Sequence, residues 1–243
     1  MFIQNTNLNI ICHPISEIKK KFIDANEILK IKFSEPTTLP IPEEAQPDIP
    51  RIIAMSSSGH SQLVASKEAI SLTTHYDNQY NANWLICQED LNSKIDVIFQ
   101  ALEKMGGVKY KFSGLITSII WDEVDGDVLK YISEKLIKVT SKQPLYDVNC
   151  KLTYIIDKQY FVNITVGNAR ISDNINYSNA FAGQFKKDGN NTIMIVLEVN
   201  DRYAFNVTDN YYSSREKINE ILNITQKVIG ELKTLVEEGK VII

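Results

Sequence analysis

The chain has few cysteines and no long apolar run. Its three cysteines, Cys12, Cys87 and Cys150, are odd in number, far apart and without a CxxC pair. A disulfide framework is therefore not expected, and a reducing compartment fits this composition. No apolar run approaches the roughly 20 residues that a bilayer-spanning helix needs, and the lysines at 19–21 follow the first apolar stretch, which is not the order of a signal peptide. We expect a soluble, cytoplasmic protein that is not bound to a membrane.

A concentrated basic surface is also missing. The formal net charge is -4, whereas nucleic-acid binding needs many cations on one surface to replace the counterions of the phosphates. The lysines at 19–21 form the only tight basic run, and such a run is typical of a solvated helix face or loop. We therefore predict that nucleic acid is not a partner.

Motifs that hold phosphate groups or metal ions do not occur. Neither GxxxxGK[ST] nor GxGxxG is present, and these are the spacings with which backbone N–H groups cradle phosphates. The three histidines, His13, His60 and His75, are not arranged as HExxH or HxH, as the ligands of many metal sites are. We predict that the protein uses neither a metal ion nor a cofactor.

The acidic residues at 122–127 have the composition of a calcium-binding loop but not its spacing. If Gly126 is placed at the sixth loop position, Trp121 and Ile132 occupy the first and twelfth positions. Both of those positions require oxygen ligands. An acidic turn that favours the N-terminus of the following helix is the better interpretation.

Side chains that could perform catalysis are present without a recognisable arrangement. Ser58 and His60 are close in sequence, but a triad is defined by geometry, and the GxSxG elbow is absent. If the chain is an enzyme or binds a small ligand, the site would lie between sheet and helices. The candidates for that site are His60, His75, Asp77 and Glu123.

Alternating apolar and polar residues predict antiparallel hairpins. Short turns at Lys67-Glu68, Asp157-Lys158 and Asn200-Asp201 separate neighbouring strands, and a further turn is predicted at 188–190. The predicted strands are 28–33, 51–55, 62–65, 69–75, 108–121 with a bulge near Gly114, 145–156, 160–171, 193–199 and 203–207.

Three amphipathic helices accompany these strands. The first covers 88–105 and stops at Gly106-Gly107, where glycine adopts the left-handed conformation without strain. The second is capped by Asp127 and extends to about 139. The last covers 213–239, with Ser213 and Glu216 as a capping box and apolar residues at spacings of three and four. The predicted fold class is α+β, with antiparallel sheets of long hairpins packed by three helices.

Five of the seven prolines lie between 36 and 50. Proline fixes φ and lacks an N–H, so this segment is predicted to be an extended surface connector. The chain then divides into an N-terminal strand with the connector, 1–50, and an α+β body, 51–243. Strands followed by a helix occur twice in that body, which suggests two similar β-β-β-α halves, 51–122 and 123–243.

Aromatic residues recur at every fourth position in the polar segment before the first predicted helix. These residues are Tyr76, Tyr80 and Trp84. Tyrosine and tryptophan often anchor interfaces, so this segment is a candidate recognition surface. A loop packed onto the sheet gives the same spacing, and both alternatives remain open.

Two segments carry a resemblance to known proteins. Residues 51–121 contain a strand, a Ser/Gly turn, QLVASKEAISL, a Tyr-x-x-x-Trp pattern and a helix; residues 192–238 begin TIMIVLEVNDRYAFNV and end in a long helix. This order resembles a sporadically distributed, uncharacterised family of bacterial proteins found in mobile or defence-related islands. The hairpin at 145–171 and the proline-rich early segment are similar to those of SecB-type chaperones.

The missing catalytic motifs and the abundant strands favour a binding role. Strand edges can accept another chain. Taken with the resemblance, they predict a non-enzymatic protein-binding factor, chaperone-like or a regulatory partner in a bacterial phage-defence or toxin–antitoxin type cassette. The expected partner is another protein encoded nearby, or a second copy of the chain. A small-ligand-binding protein or an enzyme is the alternative.

Overall fold

One antiparallel sheet of nine strands forms in the part of the chain that the computed structural model describes, residues 1–77, 81–124, 126–140, 142–171 and 190–241. The strand order across the sheet is β2-β3-β4-β5-β1-β6-β9-β8-β7. The strands are β1 (Phe2–Cys12), β2 (Thr37–Thr38), β3 (Ile52–Met55), β4 (Ser61–Ala65), β5 (Ala69–His75), β6 (Tyr110–Trp121), β7 (Asn149–Ile156), β8 (Tyr160–Ile171) and β9 (Asn190–Asn200).

The helices pack mainly on one face of this sheet, which we call the inner face. They are α1 (Ile18–Asp24), α2 (Asn26–Leu29), α3 (Trp84–Lys104), α4 (Val128–Lys130), which continues as a π-helical segment (Tyr131–Ile137), α5 (Arg202–Val207) and α6 (Arg215–Glu238). α6 contacts β6, β9 and α3, and the π-helical segment contacts β8 and α6. The short α5 lies on the other, outer face, where Phe205 packs on Phe112. The predicted α+β class is confirmed.

The strand at the centre of the sheet, β1, is absent from the sequence predictions. It pairs with β5 on one side and with β6 on the other. Its inner face buries Leu8 and Ile10, whereas Asn5, Asn7 and Asn9 lie on the outer face. Asparagine is depleted in strands, and this alternation of asparagine with apolar residues hides the strand signal. Because β1 is central, residues 1–50 belong to the same sheet and core as the rest.

The predicted strand at 28–33 is wrong. Residues 26–29 form α2, and Ile31 is 61% exposed in the turn that follows. Phe33 is buried and makes only an isolated bridge to Ser56. The alternation of lysine with apolar residues was produced here by a helix end and a turn rather than by a pleated strand.

Two predicted hairpins are confirmed and a third is wrong. β4–β5 and β7–β8 pair in the predicted order, and Asp157 and Lys158 both have the positive φ that tight hairpin turns favour. Residues 203–207, however, belong to α5, and β9 pairs with β6 and β8 instead. The buried Asp201 carboxylate accepts hydrogen bonds from the Ser113 N–H and the Tyr211 hydroxyl, which turns the chain away from the sheet. The turn predicted at 188–190 lies mostly outside the described residues.

The bulge predicted near Gly114 is displaced. The register between β1 and β6 shifts between Phe112 and Tyr110, and Gly114 pairs regularly with Asn9. Glycine is required at position 114 by a close approach rather than by a bulge, because a Cβ atom there would lie 2.9 Å from the Cβ of Asn200 on β9.

The three predicted helices exist with shifted ends. α3 begins four residues early because the Asn83 side chain accepts the Leu85 N–H at 2.9 Å, and it ends as predicted, before Gly106 and Gly107, both with positive φ. The helix after Asp127 ends at Ile137. α6 is capped by Ser214, not Ser213, whose hydroxyl bonds Ser113 instead.

The proline-rich connector is fastened by Arg51. This side chain is fully buried, and its guanidinium donates to the carbonyl oxygens of Ala45 at 2.8 Å, Ile49 at 2.7 Å and Gln46 at 3.2 Å. A proline-rich segment forms little regular structure, so many of its carbonyl groups lack a backbone partner. Here the Arg51 guanidinium donates hydrogen bonds to them. The connector is therefore held on the body, and its two-residue strand β2 pairs with β3.

In the described ranges, no helix is both long enough and apolar enough to cross a bilayer.

Replacing Ile221 on α6 by aspartate is expected to unfold the protein. Ile221 is fully buried in the core, and an uncompensated buried charge costs about 3–5 kcal/mol. Chemical denaturation followed by circular dichroism measures the loss. Asn223→Asp, at an exposed position of the same helix, is the control and should change stability little; equal unfolding curves for the two variants would contradict this packing.

Arg51→Met is expected to release the connector. Each hydrogen bond from a charged donor contributes about 1.5–3 kcal/mol, so the loss of several should loosen the backbone at Glu43 and Glu44. Both side chains are already exposed, and the loosened backbone should fit the active site of a glutamate-specific protease. Cleavage mapped by mass spectrometry should be much faster than in the wild type. Arg202→Met, at an exposed arginine, is the control; equal cleavage rates at 43–44 in all three proteins would show that Arg51 does not hold the segment.

Candidate functional site

Two of the three aromatic residues predicted as a recognition surface, Tyr76 and Trp84, are packed against the core. Trp84 is 6% exposed, and the Tyr76 hydroxyl lies 3.0 Å from the Thr6 hydroxyl and donates to the Cys87 carbonyl. Tyr80 lies outside the described residues. The placement of Tyr76 and Trp84 matches the packed-loop alternative, and the binding role of the three residues stays a prediction.

The structure brings two of the candidate catalytic residues together. His60 Nε2 lies 3.6 Å from Asp77 Oδ2, and both side chains are more than 40% exposed. Beside them is a cavity of about 40 Å³ that also contacts His75 and the buried Lys94, which is paired with Asp90. This volume is sufficient for water but small for a substrate.

Among the described contacts, this cluster does not place a nucleophilic side chain in hydrogen-bond reach of His60. In the described contacts, the Ser58 hydroxyl bonds Ser56 Oγ at 3.1 Å and makes no bond to His60. The nearby Cys87 thiol is buried, and burial raises its pKa to about 12, so it is protonated at neutral pH. A nucleophile in hydrogen-bond reach of its base is the signature that catalysis of this kind requires.

The remaining candidate, Glu123, lies elsewhere. Its carboxylate accepts a hydrogen bond from the Met1 ammonium group at 3.1 Å, and Asp122 does the same at 2.7 Å. Asp127 accepts the Lys130 N–H as a helix cap. The acidic segment is thus engaged in structural contacts, and no cluster of metal-ligating side chains occurs within the described part of the chain.

β7 is the longer of the two strands at the edges of the sheet. β7 is the last strand in the order, so its outer edge pairs with no other strand among the described residues. With eight residues, it is four times as long as β2 at the opposite edge. An edge of this length presents a row of N–H and C=O groups that can pair with another chain.

The hydrogen-bond pattern identifies which of these groups are open. The Asn168 N–H donates to the Val148 carbonyl at 3.2 Å, and the pairing continues without a shift to Ile156↔Tyr160. Bonded and non-bonded pairs alternate in an antiparallel ladder, so the even-numbered residues of β7 bond β8. The backbone groups that point to the open edge belong to Asn149, Lys151, Thr153 and Ile155.

The inner face of β7 borders an apolar cavity. Cys150, Leu152 and Tyr154 are only half-buried, whereas Val162 and Ile164 opposite them on β8 are fully buried. The cavity has a volume of about 180 Å³ and lies under the π-helical segment and α6. Its lining residues are Ile132, Leu136, Ile137, Cys150, Leu152, Tyr154, Val166, Leu235, Gly239 and Val241.

The outer face of β7 is exposed and joined to its neighbours by side-chain hydrogen bonds. The Thr153 hydroxyl donates to Asn163 Oδ1 at 2.7 Å, and Asn163 Nδ2 donates to Glu198 at 3.0 Å. Ile155 is 53% exposed. Cross-strand pairs of this kind fix the strand on the sheet, so the open edge belongs to an ordered strand.

Sequence reasoning recognised the strand but not its position at the edge. The alternation from Cys150 to Ile156 predicts a half-buried strand, which the structure confirms. Strand order depends on contacts between distant parts of the chain, and the one available signal was the exposed, charged Lys151, which is typical of edge strands.

No protein-family model matches the chain, and no curated protein is significantly similar to it.

Trp84→Ala separates the two interpretations of the aromatic segment. If Trp84 is a core residue, its loss costs about 3–5 kcal/mol of unfolding free energy, measured by denaturant titration. Leu85→Ala, at a neighbouring side chain that is 52% exposed, should cost far less. A Trp84→Ala protein of unchanged stability that no longer binds its partner would instead show a recognition surface.

Proposed function

We propose that the protein is a non-enzymatic protein-binding factor that takes an extended segment of its partner as an additional strand on β7. This proposal rests on one observation. The backbone N–H and C=O groups of Lys151, Thr153 and the alternate residues beside them point to the open edge of β7, and β7 is an ordered strand. In strand addition, main-chain hydrogen bonds supply affinity and alternate side chains supply specificity.

The edge is suited to specific rather than indiscriminate pairing. Lys151 is exposed on the strand, and charged edge residues oppose self-association of sheets. Each main-chain hydrogen bond contributes about 0.5–1.5 kcal/mol net, so a few bonds alone give weak binding. Selectivity must therefore come from the side chains of the partner, as expected for a chaperone-like or regulatory protein.

The resemblance to proteins of bacterial defence islands supports a partner encoded nearby. A defence or toxin–antitoxin type cassette contains proteins that must be held inactive or kept folded, and strand addition can do either.

A small-ligand-binding protein is the second candidate function. It is favoured by the apolar cavity of about 180 Å³ beside Cys150 and Tyr154. Ligand sites are commonly concave and largely apolar with a few polar groups, and Tyr154, which carries a hydroxyl, is among the lining residues.

Lys151→Pro is expected to abolish partner binding. Proline removes an N–H that points to the open edge, while the bonds from Cys150 and Leu152 to β8 remain. Affinity purification from the native host should recover a stoichiometric protein with the wild type and with Lys151→Ala, which removes only the charge, but not with Lys151→Pro.

Thermal melting should show that both variants are folded. Equal recovery of the same protein with Lys151→Pro would contradict strand addition at β7. A wild-type protein that recovers no partner but retains a copurified small molecule in the cavity would favour the second candidate.

A further inference from the structure

The strand order is symmetric about the β1–β6 pair. Reading outwards from this pair gives β1-β5-β4-β3 on one side and β6-β9-β8-β7 on the other. Apart from β2 and α5, the order along the chain repeats as well: a strand, a helical connection, three strands and a long helix. The first half runs from β1 to α3 and the second from β6 to α6, bounds that differ from the predicted halves 51–122 and 123–243. Because β1 and β6 are antiparallel, a two-fold axis between them relates the halves and makes β7 the counterpart of β3.

The chain covers the edge of β3 with its own backbone. The Ser34 N–H donates to Met55 O at 2.7 Å, β2 pairs through Thr37↔Ile53, and the Leu39 N–H donates to Arg51 O at 2.8 Å. Residues 33–39, which we call the edge segment, therefore run antiparallel along β3. The edge segment is extended and short, as added strands are.

The edge segment also inserts a large apolar side chain into the core. Phe33 at its start is 2% exposed and packs in the hydrophobic core, whereas Thr37 and Thr38 are exposed. The edge segment thus combines main-chain pairing on β3 with one apolar anchor on the inner face.

The second half has no such segment among the described residues. The connection from β6 to β7 covers 122–148 and is shorter than the connection from β1 to β3, which covers 13–51. It supplies α4 and the π-helical segment, and none of its described residues pairs with β7. On the inner face of β7 there is a cavity of about 180 Å³ instead of an apolar anchor.

We propose that β7 receives, from another protein, the counterpart of the edge segment: a short extended segment that runs antiparallel to β7 and places a large apolar side chain in the cavity. This inference rests on the proposed function and names the chemistry of its partner. Residues directly opposite each other in a sheet lie on the same face, so partner residues facing Leu152 and Tyr154 point into the cavity.

The partner residues whose side chains lie on the outer face of the sheet need a different chemistry. They lie opposite Lys151, Thr153 and Ile155, and Lys151 is the charged side chain of β7. An acidic residue opposite Lys151 forms a favourable cross-strand pair. The partner segment is therefore one in which apolar residues alternate with polar residues that include an acidic one.

Synthetic peptides test this inference on the full chain. The probe is a labelled, end-capped peptide of ten residues that alternates leucine with glutamate and threonine; the control has the same composition with its leucines consecutive. We expect the alternating peptide to bind the wild type at least about tenfold more tightly than the control, which corresponds to about 1.4 kcal/mol, in fluorescence anisotropy titrations.

Cavity-filling variants separate the apolar anchor from the backbone pairing. Leu152→Trp, with Cys150→Phe as a second variant should the first not fold, should weaken the alternating peptide at least about tenfold, as should Lys151→Pro. If filling the cavity has no effect, or if the control peptide with consecutive leucines binds equally, the inference that an apolar side chain enters the cavity is wrong. The proposal of strand addition would not be affected by that result. If Lys151→Pro binds normally, strand addition itself is wrong.

Two further outcomes would overturn the inference. One is failure of the alternating peptide to bind the folded wild-type protein. The proposed function would then be tested separately, by comparing the proteins that the wild type and Lys151→Pro recover from the native host. The other is a wild-type dimer by light scattering that Lys151→Pro converts to a monomer, because a second copy would then occupy the edge.

Discussion

The antiparallel pairing of β1 with β6 is the constraint on which the rest of the structure depends. It joins distant parts of the chain, from Phe2↔Ile120 to Cys12↔Tyr110. Leu8 and Leu115 are opposite each other and fully buried. On the same inner face, α6 packs on β6 and on α3, and the Arg215 guanidinium of α6 bonds Asp96 at 2.9 Å and Asn92 at 3.0 Å of α3. Without β1 in the middle, the sheet would be two smaller sheets with additional open edges.

Local patterns were sufficient for part of this fold. The turn at Asp157-Lys158, the stop at Gly106-Gly107, the cap at Asp127 and the apolar stripe of α6 each depend on neighbouring residues, and each is confirmed. The errors at 28–33 and 203–207 have one cause. Apolar and polar residues alternate at both places, but the free energy that decides the conformation comes from distant contacts, such as the bonds between Asp201 and Ser113. Tertiary contacts commonly override propensity in this way.

The candidate site was less accessible from sequence than the fold. Tyr76 and Trp84 have the spacing of an exposed stripe, yet Trp84 is buried and the Tyr76 hydroxyl contacts Thr6 on β1 and the Cys87 carbonyl on α3. Spacing does not encode these contacts. His60 and Asp77 are brought together by the β4–β5 hairpin without a nucleophile among their described contacts. The edge position of β7 follows from strand order alone, and strand order is the most non-local property of a sheet.

The two halves of the sheet differ in whether their edge strand is covered by another segment of the chain. In the first half, Arg51 holds the proline-rich connector, and the edge segment, residues 33–39, covers β3. In the second half, β7 is ordered by Thr153 and Asn163 but is not covered by any described segment. An ordered edge reduces the conformational entropy lost on binding, which favours association with an extended chain. The proposed binding function follows from this difference between the halves.

Amide hydrogen exchange along β7 in the free protein, resolved by residue, tests the central claim most directly. Exchange is slowed where an N–H is hydrogen-bonded in stable structure. An open edge predicts alternation, with slow exchange at Leu152 and Tyr154 and fast exchange at Lys151, Thr153 and Ile155. Uniformly slow exchange across these five residues would show that the edge is already covered and would contradict the account.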